Sequence, residues 1–356
     1  MINVHKPILP DRAILDQYID RIYDSNWLTN NGPLVQELEQ KLSAFLGCKN
    51  VILVSSGTSA LEVAIQAVAK EGEIITSPFS FAATSQAIEF TGRKPVFSDI
   101  CRKTFNLDPQ LIEQKINENT AAILPVHVYG NPCDLNKFAD LSELFNIPII
   151  YDAAHCFGIK TQNQSVFNFG SISVTSLHAT KLFHTIEGGA LFTNDDELAS
   201  KIRKIINFGI QSNGTIKGPG TNAKMNEFEA AMGLALFPKI NEIINLRRTL
   251  WQAYYDRLKS FFDFQEWSPN TTQNFSYFPI LCQTEKELLN IISALEKESI
   301  VPRRYFYPTL NTIYNKPALE HSDDISRRIM CLPIFPTLDL KVVIKATDII
   351  LKTINR

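Results

Sequence analysis

Three short stretches of the 356-residue chain carry side chains suited to chemistry, and each falls where an apolar run gives way to small residues. In SISVTSLHATKLFHTIEGGALFTN, Lys181 follows a strand-like run and is flanked by Ala179, Thr180, Leu182 and Phe183. Apolar flanks strip water from an ammonium group, lower its pKa and leave an amine able to act as a nucleophile. A lysine snorkelling to the surface is the ordinary alternative. In IPIIYDAAHCFG, Asp152 closes an apolar run and precedes small residues and His155. A carboxylate at the buried mouth of a sheet needs a cation or a strong donor, unless it only caps the next segment or pairs with an arginine. In SSGTSAL, residues 55–61, Gly57 permits a tight turn, and Thr58 and Ser59 set hydroxyls and amides at the positive end of a helix. That arrangement favours a phosphate, although an ordinary Ser/Thr helix cap looks the same. An amine, a carboxylate 29 residues before it and a phosphate cradle are the three parts of a pyridoxal phosphate site.

Bringing these parts together requires a particular scaffold. From Val51 to about Phe208, short β-branched runs alternate with amphipathic segments: VILVSS, TSALEVAIQAVAK, EIITSPF, FAATSQAIEF, KPVFSDI, PQLIEQKI, AAILPVHVYG, DLNKFADLSELFN and PIIYDAA. Runs that are apolar along their whole length imply strands buried on both faces, hence an α/β, mostly parallel sheet between helices. Ligands of such sheets gather at the carboxyl ends of strands, which points to the residues around Ser56, Phe79, Gly130, Ala154 and Thr180. A long polar loop, INFGIQSNGTIKGPGTNAKMNE, then leads into two helices, NEFEAAMGLALF and PKINEIINLRRTLWQAYYDRL. Beyond them come a strand at SYFPILC, a helix opened by Thr284 and Glu287 as a capping box, strands near IVPRRYF and RRIMCLPIF, and a closing helix. The chain divides as a large domain, 1–240, and a small C-terminal α+β domain, 241–356.

Composition excludes several classes. Lys plus Arg total 35 against 37 Asp plus Glu, a formal charge of −2 with no block of one sign, which argues against a polyanion binder. The six cysteines lie far apart without a CxxC pair, so they read as thiols in a reducing cytosol rather than as a disulfide or metal framework. MINVHKPILPDRAIL has no apolar leader segment, and no stretch approaches the ~18 apolar residues of a membrane span. A cytoplasmic protein bound to neither membrane nor nucleic acid is expected. No GxGxxG turn follows the first strand, which disfavours a nicotinamide-dependent sugar epimerase or dehydrogenase.

The motifs WLTNNGPLVQELE, SSGTSAL, SPFSFAAT, KPVFSDI, LPVHVYGNPCD, YDAAHCFG, SLHATK with EGGALFT, GTNAKMNEFEAAMG and PRRYFYP run in this order over nearly the whole chain. The sequence thereby resembles the pyridoxal-phosphate-dependent sugar aminotransferases of the DegT/DnrJ/EryC1/StrS group. The resemblance implies the fold type I aminotransferase architecture, with a seven-stranded sheet. It implies Lys181 as the Schiff-base lysine and proton shuttle, and Asp152 as partner of the pyridinium nitrogen. It also implies Gly57, Thr58, Ser59 and Ser176 at the cofactor phosphate, Phe81 over the ring face and His155 near the ring hydroxyl. Plain core packing is the other reading of Phe81. Asn222 matches an asparagine that reaches the phosphate of the neighbouring subunit, implying a homodimer with shared sites. Lysine at 181 separates the chain from a dehydratase branch that carries histidine there, and a catalytically silent regulator is disfavoured by the complete set.

Leu177 stands where phenylalanine is common, and Ala223 with Lys224 replaces a more usual pattern ending in arginine, a change that a lysine does not make good at a bidentate site. The resemblance further implies amino transfer from L-glutamate, through the pyridoxamine form, to a dTDP-linked 4-keto-6-deoxyhexose. The product is dTDP-4-amino-4,6-dideoxyglucose for surface polysaccharide or lipopolysaccharide; amination at C3 is the runner-up. Thr29, Asn30, His184, Arg303, Arg304 and Tyr305, with Trp27 and Tyr307, are candidates for the nucleotide and sugar, with Arg303 or Arg304 facing the pyrophosphate. Surface or packing duty is equally open for each of them.

Overall fold

A computed structural model describes residues 1–354. Helices α1 (Arg12–Ser25) and α2 (Pro33–Leu46) open the chain, and the boundaries of α2 follow from its residues: Pro33 in the first turn and Gly47 in the left-handed conformation at the end. The α/β alternation then runs β1 (Asn50–Val54), α3 (Gly57–Val68), β2 (Glu73–Thr76), α4 (Ala82–Phe90), β3 (Lys94–Phe97), β4 (Thr120–Leu124), α5 (Leu135–Phe145) and β5 (Ile150–Asp152). A two-residue hairpin, β6 (Lys160–Thr161) with β7 (Gln164–Ser165), precedes β8 (Ile172–Ser176), β9 (Gly189–Thr193) and α6 (Asp196–Ile205).

The strands pair as β3-β2-β4 and β5-β8-β9-β1. Parallel bridges from Ile123 to Ile149 and from Val126 to Asp152 join the two groups. Seven strands therefore lie in the order 3-2-4-5-8-9-1, parallel except for β9, which runs antiparallel to both of its neighbours. One consequence is positional: the carboxyl ends of β1, β5 and β8 reach the same edge, and β9 begins there.

Helix α7 (Glu227–Leu236) starts with a full capping box between Asn226 and Glu229, and a turn at Phe237–Lys239 leads into α8 (Ile240–Leu258). The C-terminal part holds β10 (Pro279–Leu281), α9 (Glu285–Lys297), α10 (Leu310–Ile313), α11 (Glu320–Arg328), β11 (Ile329–Cys331) and α12 (Leu340–Thr353). Leu250, Tyr254 and Leu258 of α8 pack with Phe278, Leu288, Ile291, Met330, Val343 and Ile350 in a core of their own. No helix among the described residues is long and apolar enough to cross a membrane.

Two expected elements differ. PQLIEQKI forms two short 3₁₀ turns, Pro109–Leu111 and Glu113–Lys115, because a segment this brief, anchored mainly through buried Ile112, does not repay helix nucleation. The strand near IVPRRYF is reduced to single bridges, Ile300 with Ile2 and Arg303 with Cys331, since Pro302 offers no amide to a ladder.

A buried carboxylate fastens the N-terminal helices to this frame. Glu227 accepts from the amides of Leu34 at 2.8 Å and Val35 at 3.0 Å, satisfying two donors at the start of α2. Glu227→Ala is expected to destabilise the fold by ~2–4 kcal/mol, read as a lowered midpoint of denaturant unfolding, because both amides lose their acceptor inside the protein.

Candidate active site

At the common strand edge lies a cavity of about 420 Å³, lined among others by Gly57, Thr58, Phe81, Asp152, His155, Ser176 and Lys181 from the sheet side and by Tyr277, Arg303, Tyr305 and Phe306 from the C-terminal part. Its size is that of an ordinary small-ligand site.

Lys181 sits in the tight connection between β8 and β9. Backbone bonds from Leu177 to Gly188, Thr185 to Leu177 and Ala179 to Ile186 close that connection, and buried Leu182 and Phe183 anchor it in the core. Desolvation lowers the amine's pKa to about 8, with the Asp152 carboxylate partly opposing the fall. Asp152 ends β5 with 6% of its surface exposed. Burial raises its pKa, against which Thr84 Oγ1 donates to Oδ2 at 2.8 Å, the Ala154 amide donates to Oδ1 at 3.2 Å, and Lys181 adds a favourable charge. Thr84 is itself 2.7 Å from Ser80 Oγ, so Ser80, Thr84 and Asp152 form a hydrogen-bonded row. Sequence reasoning passed over Thr84; its signal was its place one helical turn after Phe81, within the same SPFSFAAT motif.

The phosphate cradle follows from the cap of α3. Ser56 accepts from the Ser59 amide at 3.0 Å and pairs with the Ser59 hydroxyl at 2.8 Å. Ser59 does not itself line the cavity. The amides of Gly57 and Thr58 belong to the first turn, where a helix supplies no acceptor. Two glycines keep this corner open. A Cβ on Gly57 would lie 2.8 Å from Ser176 Cβ, and one on Gly189 would lie 2.4 Å from the Ser56 carbonyl oxygen.

His155 Nδ1 accepts from the Tyr129 amide at 3.1 Å, and burial drives the ring's pKa well down. The imidazole is therefore neutral, with its proton on Nε2. Phe81 keeps 62% of its surface exposed, which is not the behaviour of a core side chain. The two neighbouring arginines part company. Arg303 lines the cavity, its guanidinium 5.6 Å from the Tyr305 ring centroid, whereas Arg304 pairs with Glu285 at 2.7 Å, donates to Arg327 O and lies over Tyr307.

Other candidates lie elsewhere. His184 is buried, with Nε2 2.8 Å from Ile8 O. Thr29 and Asn30 are exposed and outside the cavity, the Thr29 carbonyl accepting from the Trp27 indole at 2.5 Å. Asn222 is exposed on the polar loop, where its Oδ1 accepts from Lys224 Nζ at 2.7 Å. The cavity also receives His5, His178, Glu187 and Tyr277, none of which the sequence had singled out.

Amine, buried carboxylate and helix-cap cradle thus face one cavity, and a model of the DegT/DnrJ/EryC1/StrS aminotransferase family matches residues 11–350. The chain belongs to this family. It is 38% identical, over 95% of both chains, to a dTDP-4-amino-4,6-dideoxy-D-glucose transaminase of Shigella dysenteriae. It is 36% identical, over 98% of both chains, to the transaminase of the same name from Escherichia coli. The crystal structure of DesI with its TDP-sugar product superposes with a TM-score of 0.92 at 30% identity, covering 99% of this chain and 93% of DesI. DegT/DnrJ/EryC1/StrS aminotransferases use pyridoxal 5′-phosphate and its pyridoxamine form. The donor set fits that group: an amine of lowered pKa, a carboxylate held by hydroxyl and amide donors, and a cradle that a Cβ at position 57 would fill.

Two outcomes follow for this family member. Thr84→Val should weaken pyridoxal phosphate binding about tenfold in equilibrium dialysis, since Asp152 loses its hydroxyl donor and is more readily neutralised. The rate at which apoprotein captures pyridoxal phosphate should climb about tenfold per pH unit below pH 8 and level off above it, because the free amine is the reacting form. Stopped-flow absorbance reads this rate, and an ordinary lysine would keep it climbing to about pH 10.

Proposed function

We propose that the chain is a pyridoxal-phosphate-dependent transaminase that moves the amino group of L-glutamate to a dTDP-linked 4-keto-6-deoxyhexose, forming dTDP-4-amino-4,6-dideoxyglucose. The observation that carries this reading is that two dTDP-4-amino-4,6-dideoxy-D-glucose transaminases match at 38% and 36% identity over almost their full lengths. The cavity described above lies within the matched residues.

When bound, the cofactor supplies an electrophilic carbon and a ring that accepts electrons. The chain's own residues do the rest. Gly57 and Thr58 amides and the Ser176 hydroxyl bind the phosphate, and Phe81 covers one ring face. Asp152 holds a proton on the pyridine nitrogen, and Thr84 keeps Asp152 oriented for that task. His155 donates from Nε2 to the ring hydroxyl oxygen. Lys181 would hold the cofactor through its amine and would serve as the base that moves a proton at the substrate carbon, a task its lowered pKa suits near neutrality. Arg303, with no salt bridge among the described residues, is the cation for the acidic part of a substrate.

The working unit in this reading is a homodimer, with Asn222 serving the partner's phosphate. Its exposure on a loop outside its own cavity agrees with that role. The proposed setting is the cytoplasm, where nucleotide-linked sugars and glutamate are available together.

Borohydride treatment of the yellow holoenzyme should leave a reduced adduct on the peptide containing Lys181, seen by mass spectrometry. Lys181→Arg should keep the fold and lose at least about a hundredfold in kcat. NMR of the product from glutamate and dTDP-4-keto-6-deoxyglucose should show the new amine at C4; an amine only at C3, from the 3-keto isomer, would overturn the substrate assignment.

A further inference from the structure

The first residues of the chain are built into the C-terminal part. Ile2 donates to Ser299 O at 2.7 Å and accepts from the Val301 amide at 2.9 Å, and Val4 O accepts from the Ile334 amide at 3.1 Å. Four residues later, the Ile8 carbonyl is 2.8 Å from His184 Nε2 on the β8–β9 connection that carries Lys181. The arm therefore crosses between the two sides of the cavity, and His5 lies in the crossing. His184, which misses the cavity itself, is one of the groups that hold this arm in place.

The His5 ring packs edge-on to Tyr277, centroids 5.3 Å apart, and lies stacked over Tyr305 at 6.1 Å. It lines the same cavity as Lys181 and Arg303. Burial together with the nearby charges of Arg247, Lys181 and Arg303 pushes its pKa down to about 3, so the ring is neutral at any working pH. Nδ1 is sealed from solvent and has no partner, which leaves Nε2 as the nitrogen available to a ligand. Placing the proton on Nε2 strands only a lone pair at the sealed nitrogen, whereas the other tautomer would strand an N–H. His5 thus presents one uncharged donor to the cavity.

We propose that His5 is a specificity-determining residue for the sugar acceptor, donating from Nε2 to a hydroxyl of the hexose ring. The proposal rests on the nucleotide-sugar reading given above. A hydroxyl oxygen matches a neutral imidazole donor without charging it, while the carboxylates of the amino donor are better matched by the guanidinium of Arg303. A ligand hydroxyl also fills a role that no protein group fills at this nitrogen, and a site built around a substrate hydroxyl discriminates strongly against analogues that lack it.

Titration calorimetry on the pyridoxamine-form holoenzyme tests this with two ligands, dTDP-4-amino-4,6-dideoxyglucose and dTDP alone. His5→Phe keeps the packing between Tyr277 and Tyr305 but removes the donor. It should weaken the amino-sugar nucleotide by about ten- to a hundredfold and dTDP by less than about threefold. His5→Gln, whose amide nitrogen falls near the lost Nε2, should regain most of the difference. In single-turnover kinetics the His5→Phe loss should fall on the keto-sugar half-reaction much more than on the glutamate half-reaction. Equal weakening of both ligands, no weakening of either, or a Gln variant no better than Phe would overturn the role of His5. Failure of the wild-type enzyme to aminate any dTDP-keto-sugar would instead sink the substrate reading, so the two failures are distinct.

Discussion

The site depends on one electrostatic arrangement: a carboxylate and an amine facing a shared cavity at the buried edge of a parallel sheet. Burial alone opposes both charges, raising the pKa of Asp152 and lowering that of Lys181. Each charge partly restores the other. Part of the Asp152 penalty is offset by fixed donors, the Thr84 hydroxyl and the Ala154 amide, rather than by a salt bridge. In the proposed reaction this division has a chemical use. A carboxylate locked to an arginine would be permanently satisfied, whereas one held by neutral donors keeps its charge available to a cationic ring nitrogen. Lys181, left without a full counter-ion, stays near the pKa that a proton-transferring amine needs.

The sheet order makes the arrangement possible. Strands β5 and β8 are parallel neighbours in the register Asp152 to Val174, so the carboxylate and the start of the lysine connection leave the sheet side by side. Antiparallel β9 returns directly from that connection and lies against β1, bringing Gly189 under the Ser56–Gly57 turn. A bulkier residue at 189 would press on the backbone that aims the amides proposed to bind the phosphate. The lysine connection and the cradle are thus two ends of one packed unit. This gives a structural reason for the EGG sequence that follows SLHATKLFHTI.

The sheet side was legible because its signals are local. Strand, small-residue turn and helix cap are written in contiguous residues, and SSGTSAL, YDAAHCFG and SLHATK each announce their own geometry. Ser59 shows what such a motif leaves open: its amide caps onto Ser56 and its hydroxyl pairs with the Ser56 hydroxyl. The opposite wall was largely illegible. Tyr277, Phe306 and His5 reach the cavity from three separate segments, through packing that no periodicity records. His5 above all comes from an arm whose place is set by three backbone hydrogen bonds to residues some three hundred positions away. Equally, the stretch IVPRRYF was read as a strand although its pairing amounts to single bridges.

Arg303 and Arg304 show why an almost neutral chain can still recognise an anionic ligand. Both are arginines in one short motif, and composition cannot rank them. The backbone from Ile300 to Arg303 is extended enough to make single β-bridges, Ile300 with Ile2 and Arg303 with Cys331, and it turns immediately afterwards. Arg303, Tyr305 and Phe306 line the cavity, while Arg304 points away from it and meets Glu285 at the start of α9. Glu285 pairs with Arg304, leaving Arg303 as the one positive group on this wall of the cavity among the described residues. A net charge of −2 is then no obstacle, since over a Debye length of about 8 Å a ligand inside the cavity responds to the groups that line it rather than to the total. Recognition of an anionic substrate depends here on which way the chain turns each arginine of the motif, a property that belongs to the fold and not to the residue type.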